Sequence, residues 1–143
     1  GLVILSIETK FYAAHRNQHL NDKCFAVHGH RYGVVVDFEY KAGNAGGVTV
    51  LFSKLKEEVE LLIKELDHSI LADRKDHDLC DVLGNKAFSR YNTFGHATSA
   101  ENICAYILNW IHGRGLPAVA VHLRETDTAV ITMRLEDLNE WPK

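Results

Sequence analysis

The chain is poor in everything that would mark it as unfolded, secreted or membrane-bound. Its 143 residues include two prolines, one methionine and three cysteines. With so little proline and no low-complexity stretch, nothing reads as a linker or a disordered arm. An odd number of cysteines cannot complete a disulfide framework, which points to a reducing, cytoplasmic setting. No apolar run is long enough to span a bilayer. The opening run Leu2-Val3-Ile4-Leu5 is too short for a signal-peptide core and lacks a basic flank. A net charge of -3 gives no electrostatic case for nucleic acid or an anionic membrane. No internal repeat is present. What remains is one soluble domain over residues 1–143, with a hydrophobic share of 46% that suffices for a single core.

Histidine, by contrast, is plentiful: there are nine. Two of them stand in Cys24-Phe25-Ala26-Val27-His28-Gly29-His30. If His28 and His30 open a strand, both imidazoles point to one face. Two neutral imidazoles on one face are the beginning of a metal site, and zinc takes three or four ligands. A third imidazole is available at His15. Cys24 is near enough in sequence to be a fourth ligand or a reactive thiol. A His pair on a strand is equally a packing or surface feature, so these residues alone leave metal binding open.

The hydrophobic pattern predicts the surroundings. Residues 2–15 alternate as a strand, with Val3, Leu5, Ile7, Phe11 and Ala13 on one parity. His15 continues that parity and so leaves the strand on its core side. Residues 16–27 read as a loop. Residues 28–40, rich in β-branched and aromatic side chains, read as the second strand of a hairpin. Lys41 to Gly47 reads as a glycine-rich turn, with a short extended piece over Val48–Leu51. Leu55, Val59, Leu62, Ile63 and Leu66 predict a helix over 54–66, capped by Ser53. Residues 69–97 read as a long functional or mobile loop with solvent-facing His77 and His96. Thr98 and Glu101 have capping-box spacing before a second helix, which ends near Gly113. Cys104 on that helix reads as an inert packed residue. Ala118–Glu125 and Thr128–Leu135 form a second hairpin, and the tail carries Trp141 with no assigned chemistry. The predicted architecture is α+β, with strand order ββααββ: a four-stranded antiparallel sheet with two helices on one face. Open sheet edges invite pairing with other copies of the chain.

Five short motifs stand in order along the chain. Phe11-Tyr12-Ala13-Ala14-His15-Arg16, Cys24-x3-His28-Gly29-His30, Leu66-Asp67-His68, Ser99-Ala100-Glu101-Asn102 and Arg124-Glu125-Thr126 together resemble the superfamily of 6-pyruvoyl-tetrahydropterin and 6-carboxy-tetrahydropterin synthases, which has the tunnelling fold. The resemblance implies that His15, His28 and His30 hold zinc. It implies that Cys24 is the general acid/base thiol, with Asp67 and His68 as its relay. Glu125 would anchor the pterin, and Ser99 would stand in the substrate-binding helix start. It also implies a homohexamer of two stacked trimers, with active sites between subunits.

The chemistry suits these residue types. Three imidazoles leave coordination positions free for substrate oxygens. A thiol, whose pKa falls beside a metal or a cationic imidazole, can move protons between a side chain and ring carbons. A carboxylate can accept two hydrogen bonds from the amino-oxo edge of a pterin. Three residues between Cys24 and His28 resemble the carboxy branch, which serves 7-deazaguanine and queuosine synthesis. The expected reaction converts 7,8-dihydroneopterin triphosphate to 6-carboxy-5,6,7,8-tetrahydropterin, acetaldehyde and triphosphate. The alternatives are the pyruvoyl product, another pterin substrate, or a non-catalytic zinc-stabilised pterin-binding oligomer. Read from the residues alone, Cys24 as a fourth ligand, Asp67-His68 as a helix-end pair and Glu125 as a solvent-facing carboxylate stay open. Arg16, Lys23, Arg31 and Arg124 are the candidate cations for the triphosphate. Two departures from the family pattern stand out: Leu51 where it has Asp or Asn, and the long 69–97 segment.

Overall fold

A computed structural model describes residues 2–41 and 52–141. The predicted turn and extended piece over 42–51, and Leu51 itself, lie outside the described residues. Two long strands, β1 (Leu2–His15) and β2 (His28–Lys41), pair antiparallel along their whole length, with His15 opposite His28 and Ala13 opposite His30. Alternation then sorts the side chains. Phe11, Ala13 and His15 on β1 and Tyr32, Val34, Val36 and Phe38 on β2 are buried, while Tyr12 between them is exposed.

The buried face is covered by two helices, α1 (Phe52–Leu66) and, later in the chain, a second long helix over Ala100–Gly113. Helix α1 contributes Leu55, Val59, Leu62, Ile63 and Leu66 to the core. It begins at Phe52, so Ser53 lies inside its first turn and does not cap it.

The sheet is larger than the pattern predicts. Residues 69–97 are not one loop. They contain β3 (Ser69–Asp73), the short helix α2 (His77–Cys80) and β4 (Tyr91–Phe94). Strand β3 pairs parallel to β1 at Ala13 and Ala14, and β4 pairs parallel to β3. The long helix α3 (Ala100–Gly113) follows, then the antiparallel pair β5 (Ala118–Thr126) and β6 (Ala129–Arg134) and a terminal turn, α4 (Leu135–Leu138). The result is a six-stranded mixed sheet in the order β4-β3-β1-β2-β5-β6, in place of the expected four-stranded antiparallel one. Strands β3 and β4 escape detection because they are only five and four residues long. Their apolar positions are too few to establish a period of two.

A buried ion pair ties this added segment to β1. Arg16 donates from Nε to Asp76 at 2.6 Å and from Nη2 to the other oxygen at 2.5 Å. The guanidinium holds the Asp76 carboxyl below the usual carboxylate range. On its other side Arg16 lies 4.8 Å from the ring of Phe25, next to Cys24. One side chain thus joins the end of β1, the β3–α2 connection and the loop that carries Cys24.

Candidate metal and pterin site

The hairpin register brings three histidines together. His15 ends β1, and His28 and His30 open β2, on the same face. Their ring centroids lie 4.7 to 5.1 Å apart. One ligand nitrogen from each falls within 4.8 Å of the others, a group of three imidazoles that could hold a metal ion. Cys24 is not in that group; it sits half-buried in a single 3-10 turn over Lys23–Phe25.

The donor set fits a divalent cation. His15 Nδ1 donates to the carbonyl of Thr98 at 2.7 Å, and His28 Nδ1 donates to the carbonyl of Ala26 at 2.7 Å. Each bond fixes the tautomer and leaves Nε2 with its lone pair free for a metal. Burial lowers the His15 pKa to about 4, with the neighbouring imidazoles adding to the fall against the raising effect of the Thr98 bond. Burial also lowers that of His30, against the opposing charge of Glu125. His15 is therefore neutral at pH 7, as a ligand must be. Beneath the group, the Tyr32 ring stacks on Phe11 at 4.8 Å. Its hydroxyl is buried without a hydrogen-bond partner among the described residues.

Glu125, near the end of β5, turns its carboxylate toward this group. Oε1 is 3.5 Å from His15 Nε2 and 3.7 Å from His30 Nε2. The Cys24 thiol is pushed up by its partial burial and then by the charge of Asp22.

Asp67 and His68 face elsewhere. They follow α1 directly, and His68 has left-handed backbone geometry with φ 56°, an uncommon state for a residue with a side chain. That turn is held by β1. The His68 amide donates to the Tyr12 carbonyl at 2.6 Å, and the Tyr12 amide donates to Asp67 Oδ1 at 2.8 Å. Adjacent residues seldom meet, but here the left-handed step lets His68 Nδ1 donate to Asp67 Oδ2 at 2.9 Å. The Asp67 carboxyl is held low, chiefly by the Tyr12 amide. The His68 ring is exposed beside that of Tyr12, at 5.9 Å. Tyr12 and His15 are of opposite parity on β1. The dyad and the three imidazoles therefore lie on opposite faces of one sheet.

Beside the dyad is a cavity of about 600 Å³ whose lining includes Tyr12, His30, Arg31, His68, Ser89 and Arg90. Of the four candidate cations, Arg31 lines this cavity. Arg16 is committed to Asp76, and Arg124 donates to the carbonyl of Asp127 at 2.9 Å. Arg90 was missed; it lies in the segment read as a loop, and no motif marks it. Ser99 is the N-cap of α3, accepting from the Asn102 amide at 3.3 Å. The capping-box reading is thus displaced by one residue, and Thr98 serves His15 instead.

The sequence model of a family described as 6-pyruvoyl tetrahydropterin synthase matches residues 4–136. The chain belongs to that family. It is 30% identical over 132 residues to a 6-carboxy-5,6,7,8-tetrahydropterin synthase from Haemophilus influenzae, covering 87% of this chain and 94% of that protein. A putatively assigned synthase of the same name from Archaeoglobus fulgidus is 26% identical over 125 residues, covering 87% of this chain and 90% of that one. Among solved structures, 6-pyruvoyl tetrahydropterin synthase from Caenorhabditis elegans superposes with a TM-score of 0.69 at 21% identity, covering 94% of this chain and 96% of that chain. An uncharacterized protein from Wolinella succinogenes superposes with a TM-score of 0.76 at 17% identity, covering 94% and 98%. The likeness to the Caenorhabditis elegans structure shows the tetrahydropterin synthase fold for this chain. The family consists of enzymes that act on small pterins. Among the described residues of this pterin-synthase chain, no helix is long and apolar enough to cross a membrane.

Proposed function

We propose that the chain is a zinc-dependent 6-carboxy-5,6,7,8-tetrahydropterin synthase. It converts 7,8-dihydroneopterin triphosphate to 6-carboxytetrahydropterin, acetaldehyde and triphosphate in the cytoplasm, on the route to 7-deazaguanine compounds such as queuosine. The observation that carries this reading is the group of three imidazoles, two with tautomers set by backbone carbonyls. The relatives that bear the same name and the three-residue Cys24–His28 spacing support the carboxy branch.

His15, His28 and His30 would hold zinc, which supplies Lewis acidity toward substrate oxygens. A cation there would draw the Cys24 thiol down, against the rise that burial and Asp22 impose. Cys24 would then take and return protons at the side-chain and ring carbons. Asp67 accepts from His68 Nδ1, which leaves His68 Nε2 to relay the proton. Glu125, beside the imidazoles, would accept hydrogen bonds from the amino-oxo edge of the pterin. Ser99, at the start of α3, would meet the substrate with its hydroxyl.

The dyad and the imidazoles face opposite ways, which favours a site shared between copies over one built by a single chain. A neighbouring copy would supply His68, together with Arg31 and Arg90 for the triphosphate. The free edges suit such an assembly. Among the described residues, β3 covers β1 only at Ala13 and Ala14, and β6 ends the sheet on the other side. Leu2 and Ile4 are exposed along the uncovered stretch of β1. We read the assembly as a homohexamer of two stacked trimers.

The test is turnover of 7,8-dihydroneopterin triphosphate by the zinc-loaded protein, with products identified by mass spectrometry and acetaldehyde assayed separately. Carboxypterin with acetaldehyde is the expected result. A pyruvoyl product assigns the chain to the sister branch. No turnover by protein with a full complement of zinc overturns the catalytic reading.

A further inference from the structure

A second cavity, of about 290 Å³, shares no lining residue with the larger one or with the three imidazoles. It lies where the end of β4, one side of α3 and the C-terminal tail meet. Its apolar lining is largely aromatic: Phe94 and Tyr106 pack edge to face at 4.6 Å, and Leu138 and Trp141 join them in the lining. Trp141 is fixed there by its indole Nε1–H, which donates to Asn102 Oδ1 at 2.7 Å. The tail that carried no chemistry in the sequence is therefore a wall of this cavity.

Two polar side chains at that wall are open to a ligand: Arg74, which is exposed at the cavity's rim, and His96. Arg74 lines the cavity and forms no ion pair among the described residues; its Nη2 makes a single long bond of 3.5 Å to the Thr93 carbonyl. Arg74 and Glu65 both lie close enough to act on the Tyr106 hydroxyl, yet they do not pair with each other. Gly95 leaves room for the guanidinium, since a Cβ there would stand 3.3 Å from Arg74 Nη1. His96, expected to face solvent, is half-buried, and its Nε2 is shielded without a hydrogen-bond partner. Shielded polar atoms are normally satisfied. An apolar cavity with a few convergent polar groups is the usual form of a ligand site.

We infer that this cavity binds a small planar aromatic carboxylate, with the ring between the aromatic walls and the carboxylate on Arg74. The ring matches the edges and faces of Phe94, Tyr106 and Trp141. A guanidinium offers a carboxylate two parallel N–H donors. Cavities that take drug-sized ligands run from roughly 300 Å³ upward, so this one selects a ligand of one or two fused rings. The inference does not depend on which pterin reaction the chain performs.

The test uses 2-naphthoate and its uncharged counterpart 2-naphthamide, added to the zinc-loaded protein. The readout is the indole N–H signal of Trp141 in nitrogen–proton correlation spectra. The chain has two tryptophans, and W141F assigns the signals. Naphthoate is expected to shift the Trp141 signal saturably and leave Trp110 in place. R74Q should weaken naphthoate roughly ten- to a hundredfold, the worth of a charge-assisted bond, and leave naphthamide unchanged. The same spectra report that the variant is folded. Absence of a saturable Trp141 shift overturns the site. Equal naphthoate affinity in wild type and R74Q overturns the ligand class. Neither result bears on turnover, which is assayed independently.

Discussion

The two faces of β1 carry two chemistries in two different states. On the inner face, His15 is buried and its tautomer is set by the Thr98 carbonyl. On the outer face, His68 stands out in solvent, held only through its backbone and Asp67. The inner group is complete in one chain, because two paired strands bring three imidazoles into register. The outer dyad is preorganised on the other face, beside a cavity that Arg31 and Arg90 also line. A ligand set needs rigid convergence, which burial supplies. The relay role proposed for His68 in a neighbouring copy's site calls for exposure, which its ring has. That contrast is the physical reason to expect the active site between copies.

Breaking the contrast by subunit mixing should give the largest effect. H28A is expected to lose the metal, read by elemental analysis, and to lose turnover. H68A should keep the metal and lose turnover. Co-assembly of the two inactive variants in equal amounts should restore roughly a quarter of wild-type turnover, the statistical share of sites that draw one intact face from each copy. No recovery in verified mixed oligomers would place both faces' functions within one chain.

D67N sharpens the role of the outer dyad. It should lower kcat about 10²-fold, within the range of general acid–base effects, with zinc content and KM little changed. A KM effect alone would make Asp67 a substrate contact.

The next effect is on stability and joins the two faces. Arg16 adjoins His15 and clamps Asp76, so D76A should destabilise the protein by about 3 kcal/mol, as expected when one partner of a buried pair is removed. The pH dependence follows from sign. The folded Asp76 pKa is depressed, so its contribution is present above the ordinary carboxylate pKa and is lost as pH falls through the folded value. Urea melts below about pH 4 should therefore show a loss of stability in wild type that is smaller in D76N.

The smallest expected effect is at Ser99. S99A removes the α3 cap and should cost about 1 kcal/mol. A rise in KM beyond that stability change would support the substrate role proposed for its hydroxyl.

Much of this was legible before any coordinates. Residues 2–15 matched β1, His28 opened β2 as read, and the parity of His15 placed it on the core side. The stripe from Leu55 to Leu66 packed as an amphipathic helix, and Cys104 proved buried, its pKa pushed up to about 12 mainly by burial. Strands β3 and β4 were not legible, since short parallel strands against a sheet edge leave no usable period. The Thr98 cap was misplaced because Thr98 and Ser99 both suit that position, and only the approach of His15 decided between them. Arg90 and His96 carried no local signal, and Trp141 gave no hint of its partner, Asn102.

The sequence by itself determined the family, the inward histidine triad and the order of the main elements. The element order and the parity of the histidines follow from local periodicity, and the family and its three-histidine set from five short motifs in order along the chain. Only the tertiary structure decided that the sheet has six strands, that Asp67 and His68 face away from the imidazoles, and that Arg74 and Trp141 share a cavity. Each of those depends on contacts between residues far apart in the chain, for which one sequence has no local record.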